Sequence, residues 1–368
     1  FKEWSFSLGT GGTNDKALLG IKCLYELQDI DFMKSVSSEF LAGGDGELRL
    51  YDLDITPIVS TAFFQFLGNS KNLRRLTFNK CDIQGNYSYC KIEKSLFNNP
   101  GNTIASLLWH PISEIEGVKY LSNALEGEHC KLAELDLKVK GHTDMTNQAV
   151  EYLSHALNSA NCNLVKLRLI GNKVTGQSVE YLSKALECED CKLEELDLGG
   201  NKITNQGIKY LNGALISKRC KLRELYLSGN KITDKGIEDL SKALENKNCK
   251  LIKLHLGNNI MTYHDQGVEY LSEALKCENC KLEELDLGGN EITDQGVEYL
   301  SEALKCEYCK LRELNLFSNK ITDEAAKYLS EALESKNCKL IKLNLAGDNN
   351  IRHRLIKYLN NILKKTEN

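Results

Sequence analysis

The stretch that decides the fold is CKLEELDLGGNKITNQGIKYL at residues 191–211, which returns almost unchanged as CKLEELDLGGNEITDQGVEYL at residues 280–300. Successive copies of its opening cysteine lie 29 residues apart, except for intervals of 32 and 31 residues that begin at the first and the fifth copy. Repeats of this length stack side by side, because one repeat cannot bury its apolar face alone. The opening cysteines are Cys130, Cys162, Cys191, Cys220, Cys249, Cys280, Cys309 and Cys338.

Each part of the phrase predicts a separate element. Leu196 and Leu198 alternate with acidic residues, which predicts a short strand with one buried face. Ile208 and Leu211 recur at helical spacing after a polar stretch, which predicts one helix per repeat. Asn201 follows the strand, and we expect its side-chain amide to satisfy backbone groups of neighbouring repeats. Its counterparts in the other repeats are Asn172, Asn230, Asn259, Asn290 and Asn319.

The period and the leucine spacing resemble the leucine-rich repeats of the ribonuclease-inhibitor type. We therefore predict an α/β fold, a leucine-rich-repeat horseshoe with about 11 parallel strands inside, helices outside and a short helical N-terminal cap. The predicted domains are a helical segment at residues 1–44 and a solenoid at residues 45–368 that ends in a cap helix. We expect Asp348-Asn349-Asn350 to interrupt the asparagine series in the last repeat.

A second resemblance comes from the chain around the first repeat. Cys23-Leu24-Tyr25-Glu26-Leu27-Gln28, Phe32-Met33-Lys34 and Asp54-Ile55-Thr56-Pro57 are similar to the junction between helical subdomain and repeats in animal NOD-like receptors. The resemblance covers essentially the whole chain. It implies the ligand-sensing and autoinhibitory domain of a cytosolic innate immune receptor, packed against a NACHT domain. The sequence contains no G-x-x-x-x-G-K-[ST] motif, so that domain is expected upstream of Phe1.

Composition narrows the class of partner. The net charge of the 368 residues is −4, with both signs interspersed, so no basic stripe favours a nucleic acid. No apolar run has the length of a membrane span, and the segment that begins at Phe1 does not resemble a signal peptide. A cytoplasmic location is therefore predicted.

The 14 cysteines are predicted to be buried free thiols in a reducing compartment. Eight of them share one repeat position, where a small apolar side chain fits the end of a coil. Zinc is the alternative, because residues 188–191, 277–280 and 306–309 are C-x-x-C pairs, the last two in adjacent repeats. Since the second cysteine of each pair belongs to the buried series, we predict no metal and no cofactor.

The predicted functional surface is the concave strand face. No histidine lies in a catalytic or metal-binding motif, so an enzyme is not predicted. The outward strand positions are acidic in balance, which favours a basic protein partner, and two aromatic residues are candidate anchors. The predicted partner-binding residues are Asp136, Arg168, Glu195, Asp197, Glu224, Tyr226, His255, Glu284, Asp286, Glu313, Asn315 and Phe317. An insertion in the repeat of Cys249 predicts a rim loop with contacts at Tyr263 and His264.

Two other functions stay open. A free-standing scaffold or inhibitor similar to ribonuclease inhibitor would have no nucleotide-binding motif upstream, which separates it from a receptor. A GTPase-activating repeat protein would need an exposed arginine or asparagine at a nucleotide site. Arg168 alone does not support this function.

Overall fold

The computed structural model describes residues 35–36, 45–112, 114–139, 143–260 and 265–366. These residues form two compact units. The first unit comprises the described residues up to Asn172 together with Asp190–Leu193, and the second comprises Lys173–Glu189 and the chain from Glu194. The predicted helical segment at residues 1–44 lies outside the described residues, apart from residues 35 and 36.

The first unit alternates strands with helices. In chain order its elements are β1 (Glu47–Tyr51), β2 (Asp54–Ile55), α1 (Pro57–Gly68), β3 (Arg75–Asn79), β4 (Asp82–Ile83), α2 (Gly85–Lys91), a π-helical segment (Ile92–Phe97), β5 (Ser106–Ile112), α3 (Ile115–Leu125), β6 (Glu134–Val139), α4 (Thr143–Leu157) and β7 (Lys166–Arg168). Strands β1, β3, β5, β6 and β7 pair in that order, all parallel. The short strands β2 and β4 form a separate parallel pair.

The second unit is more regular. In chain order its elements are α5 (Gly176–Leu186), β8 (Glu195–Asp197), α6 (Asn205–Leu215), β9 (Glu224–Tyr226), α7 (Asp234–Leu244), β10 (Lys253–His255), α8 (Gln266–Leu275), β11 (Glu284–Asp286), α9 (Asp294–Leu304), β12 (Glu313–Asn315), α10 (Ala325–Leu333), β13 (Lys342–Asn344) and α11 (His353–Thr366). Strands β8 to β13 pair in sequence order, all parallel. Together with the five of the first unit, these are the eleven parallel strands that the sequence predicts.

The repeat phrase places its apolar residues in the core as expected. Leu225 pairs in register with Leu254, and Leu254 with Leu285, so the inward side chains of successive strands stack. All three side chains are fully buried, as are Ile208 and Leu211 on the inward side of α6. The prediction of a one-sided strand followed by an inward-facing helix is confirmed.

The asparagine series forms the predicted ladder. The Oδ1 atom of Asn230 accepts the N–H of Ile203 at 3.0 Å, and its Nδ2 atom donates to the carbonyls of Leu198 and Leu227, both at 2.9 Å. A buried backbone group without a partner is costly. The side-chain amide therefore bonds backbone groups of two repeats, Ile203 and Leu198 in the preceding repeat and Leu227 in its own.

The prediction that residues 348–350 interrupt this ladder is wrong. The Oδ1 atom of Asn349 accepts the N–H groups of Asn319 at 3.0 Å and Ile321 at 3.2 Å, as the earlier asparagines do. The last repeat has one extra residue before its asparagine. Gly347, whose φ is +85°, adopts the left-handed conformation in this stretch, which is accessible to glycine without strain.

The first unit packs its core with aromatic side chains. The ring centroids of Phe64 and Phe78 lie 6.4 Å apart, and those of Phe78 and Trp109 lie 5.3 Å apart. Tyr89 lies 6.2 Å from Trp109, and all four rings are buried. At the ladder position after β3 the residue is Cys81, whose thiol donates to the carbonyl of Leu50 at 3.5 Å.

The cysteine and lysine that open each repeat have different roles. The opening cysteines are buried, except that Cys338 is half-buried. Burial raises the pKa of the Cys280 and Cys309 thiols to about 11. The adjacent lysine reaches back along the stack, since Nζ of Lys310 donates to the carbonyls of Glu278 at 3.1 Å and Cys280 at 3.0 Å. Lys250, Lys281 and Lys339 make the equivalent contacts.

Candidate functional site

The outward positions of strands β8 to β13 form a polar surface in the second unit. Strand alternation puts two outward side chains on each strand, and the parallel register aligns them across the sheet. We call this surface the strand face. Its members are Glu195, Asp197, Glu224, Tyr226, Lys253, His255, Glu284, Asp286, Glu313, Asn315, Lys342 and Asn344, with Phe317 two residues beyond β12.

Tyr226 and His255 lie at the centre of this surface. The Tyr226 hydroxyl donates to Oε2 of Glu224 at 2.7 Å, and its ring meets the His255 ring edge-on at a centroid distance of 4.5 Å. Partial burial and the hydrogen bond to Glu224 raise the pKa of the Tyr226 hydroxyl well above its usual value. Nε2 of His255 lies 2.9 Å from Oε1 of Glu284, and Nδ1 lies 3.7 Å from Oδ2 of Asp286.

Lysine and asparagine side chains link the remaining strands. Nζ of Lys253 lies 3.6 Å from Oε1 of Glu224 and 3.4 Å from Oε2 of Glu284. Partial burial lowers the pKa of the Lys253 ammonium group, but the two carboxylates outweigh it and raise this pKa. Nδ2 of Asn315 donates to Oδ1 of Asp286 at 2.8 Å. These contacts hold side chains of β9, β10, β11 and β12 in fixed positions.

The strand face has an acidic balance and one exposed aromatic ring. Six carboxylates, on Glu195, Asp197, Glu224, Glu284, Asp286 and Glu313, face two lysines, Lys253 and Lys342. Phe317 is 43% exposed, although it lies next to the sheet. Aromatic side chains are enriched among the residues that contribute most to protein interfaces, which makes Phe317 a candidate contact.

Glu195 differs from the other acidic residues of the strand face. It is only 6% exposed, whereas Glu224, Glu284 and Glu313 are half-buried. The sequence places Glu195 and Glu224 at the same repeat position and predicts equal access for both. The structure therefore gives Glu195 little surface with which to touch a partner.

Two predicted residues belong to the first unit. Asp136 on β6 pairs in register with Arg168 on β7, and Oδ1 of Asp136 lies 2.6 Å from Nε2 of His110. His110 is not among the residues predicted from the sequence. The signal was available, because His110 lies at an outward position of the alternation that buries Leu107 and Trp109.

The predicted rim-loop contacts, Tyr263 and His264, lie outside the described residues. Within the described ranges, no three His, Cys, Asp or Glu side chains are grouped so that they could hold a metal ion. Cys191, Cys280 and Cys309, the second cysteines of the C-x-x-C pairs, are buried. No helix in the described part of the chain is long and apolar enough to cross a bilayer.

Comparisons with known proteins agree with this architecture. Residues 189–211, 218–241, 278–301 and 309–330 match the Leucine Rich repeat family. No curated protein matches the sequence. Among solved structures, the complex of Rad7 and Elc1 in yeast contains a chain similar to this one, with a TM-score of 0.54 and 18% sequence identity over 95% of this chain and 86% of that chain.

An internalin (inlF) from Listeria monocytogenes is also similar, with a TM-score of 0.47 and 18% identity over 93% of this chain and 92% of that chain. The four segments that match the family fall on the repeats that supply α6, α7, α9 and α10 and the strands that precede them. The observed strand–helix repeats, the family matches and the structure of the Rad7–Elc1 complex together establish that this chain has a leucine-rich-repeat fold.

Proposed function

We propose that the chain is a non-enzymatic protein-binding module whose binding surface is the strand face. The observation that carries this proposal is the network from Glu224 to Asn315, which fixes polar side chains of four adjacent strands beside the exposed ring of Phe317. Side chains that are already ordered lose less conformational entropy when a partner binds. The fold supports this proposal too, because the similar chain was solved in a complex of two proteins, Rad7 and Elc1.

The charge of the strand face favours a partner with a basic surface. Complementary charges raise the association rate and disfavour partners of the same sign. Glu284 and Glu313 pair in register on β11 and β12, the strand that precedes Phe317 and its neighbour, and both keep partial exposure. A basic protein that contacts them would also cover the Phe317 ring.

Site-specific photo-crosslinking in cells tests the module. A benzophenone amino acid at Phe317 is expected to yield a discrete adduct with another protein, and the charge reversals Glu284→Lys and Glu313→Lys to abolish it. Tyr308 is the matched control position, because it is 44% exposed but lies in the turn after α9. The same adducts at both positions would overturn the assignment of the strand face.

The finer form of the proposal follows the resemblance of the segment around the first repeat to NOD-like receptors. The chain is then the ligand-sensing repeat domain of a cytosolic innate immune receptor and packs against a NACHT domain to keep it inactive. A ligand can switch such a receptor only by binding the open arrangement better than the closed one. The alternative, a free-standing scaffold similar to ribonuclease inhibitor, keeps the same binding surface without the switch.

The transcript upstream of the codon for Phe1 separates these two forms. A G-x-x-x-x-G-K-[ST] motif after a strand pattern is expected for the receptor. An initiator methionine or a signal peptide directly before Phe1 would rule out the receptor and leave the scaffold.

A further inference from the structure

The last helix differs in charge from the helices before it. The fourteen residues of α11 include four basic side chains and no acidic one, whereas α9 includes three acidic side chains and no basic one. The positive charge of α11 is a property of this helix, since the chain as a whole carries a net charge of −4. The basic residues of α11 are Arg354, Lys357, Lys364 and Lys365.

The basic side chains of α11 that the structure describes lie on its outward side. Arg354, Lys357, Tyr358 and Asn361 are all exposed, and their spacing of three and four residues places them on one face of the helix. The opposite face is apolar and faces the core, where Leu359 is fully buried. The helix therefore caps the second unit with one side and presents a basic surface with the other.

This surface suits a charged protein better than a membrane. A helix that lies in a bilayer interface inserts its apolar side chains among the lipids. In α11 the apolar residues Leu359 and Leu363 are 0% and 5% exposed, because they pack into the protein core. Tyr358, at 48% exposed, is the large hydrophobic side chain that this helix leaves accessible among its described residues.

The strand face has the opposite charge and a matching size. A helix of fourteen residues is about 21 Å long, and six strands separated by five spacings span about 24 Å. Residues three or four apart on a helix are separated by about 4.5–6 Å along its axis, close to the spacing between strands. A helix laid across the strands would thus bring Arg354, Lys357 and Lys364 opposite different strands.

We propose that α11 of one copy of this chain binds the strand face of a second copy. The interface is heterologous, since it joins two different surfaces, and it links copies into a ring or an open chain. The inference rests on the proposed function, because a protein ligand and α11 of another copy compete for the strand face. Self-association would then regulate how much of that surface is free.

Sedimentation velocity of the 368-residue chain tests the pairing through an exchange of charges. Association is expected at low salt and is expected to weaken in high salt, which screens exposed charges. The variant Arg354→Glu/Lys357→Glu and the variant Glu284→Lys/Glu313→Lys are each expected to associate at least about tenfold more weakly than the wild type. A tenfold change in the dissociation constant corresponds to about 1.4 kcal/mol. An equimolar mixture of the two variants is expected to regain association, because each then meets a face of opposite charge.

The matched control is Lys218→Glu/Arg219→Glu, which changes the net charge as much as the α11 variant does but lies in the exposed turn after α6. It is expected to associate like the wild type, and circular dichroism checks that every variant folds. A mixture that stays monomeric, or an α11 variant that associates like the wild type, would overturn the proposal. Sedimentation of a monomeric wild-type chain with phosphatidylserine vesicles would also overturn it and assign α11 to a lipid surface.

The two proposals fail in different ways. With a crosslinker at Phe317, self-association gives an adduct of twice the chain mass, and a foreign ligand gives an adduct of another mass. In the α11 variant the adduct of twice the mass is expected to disappear and the foreign adduct to remain. A wild-type chain that gives the adduct of twice the mass but no foreign adduct would contradict the proposed function and leave the pairing intact.

Discussion

The two units build the same strand–helix repeat with different chemistry. The first unit fills its core with Phe78, Trp109 and other rings, and Cys81 takes a ladder position. The second unit fills its core with leucine and places an asparagine such as Asn230 after each strand from β8 onward. The fold thus needs a filled core and satisfied turn backbones, and aromatic volume and amide hydrogen bonds contribute to these in different proportions in the two units.

The largest expected effect is in the aromatic core. Trp109→Ala removes a fully buried ring that contacts Phe78 and Tyr89, and should destabilise the first unit by about 3–5 kcal/mol. Native-state hydrogen exchange is the measurement, because it reports on each unit separately. Amides of β3 and β5 should lose protection while those of β10 and β11 keep it. An equal loss in both units would show that they unfold as one and that their cores do not contribute separately to stability.

The asparagine ladder should show the next largest effect. Asn230→Ala leaves the buried N–H of Ile203 without its acceptor. It also removes one of the two amide donors at each of the carbonyls of Leu198 and Leu227, and we expect a total cost of about 2–3 kcal/mol. Hydrogen exchange around β8 and β9 measures it. The control is Asn279→Ala, because that exposed side chain makes a hydrogen bond at the surface that water can replace. Equal protection in the two variants would remove the ladder as a source of stability.

Cys81 tests whether the first unit depends on its own ladder position. A thiol is a weak donor, so Cys81→Ala loses a weak hydrogen bond to Leu50 and a small buried volume, or about 1 kcal/mol. The loss should be clearly smaller than that of Asn230→Ala when both are measured by exchange. A loss as large as that of the asparagine would mean that the two units rely equally on this position.

The smallest expected effect concerns the lysine contacts. Lys310→Met keeps the aliphatic chain but removes the hydrogen bonds to the carbonyls of Glu278 and Cys280, which water can partly replace, so the cost should be about 0.5–1 kcal/mol. Thermal unfolding monitored by circular dichroism measures it. Lys320→Met, which removes an exposed ion pair with Glu291, should change the melting temperature less. The reverse order would show that these carbonyl contacts add nothing.

The repeated phrase was enough to predict most of the fold. Each strand leucine, each inward helix position and the ladder role of the asparagines follow from periodicity, because the same local pattern must bury the same face in every repeat. The ladder role of Asn349 was not predicted from this periodicity. This asparagine is shifted by one residue, and only the three-dimensional path through Gly347 shows that its side chain still reaches Asn319.

The candidate site was less predictable than the fold. Alternation identifies which strand residues face outward, so Tyr226, His255 and Glu284 could be selected from the sequence. Their contacts depend on neighbours in other strands and on rotamers, which no local pattern encodes. For the same reason Glu195 and Glu224 look alike in the sequence although one is buried and the other half-exposed.

The polar side chains bond to residues within about one repeat of their own position, which affects how a chain of this kind can become longer. The hydrogen bonds described for Asn230 and Lys310 all join residues that are 32 positions apart or fewer, about the length of one repeat. A duplicated repeat therefore arrives with its partners already in place on both sides. Duplication of a single gene segment can thus add one strand to the sheet and widen it by about 4.8 Å, without any compensating substitution.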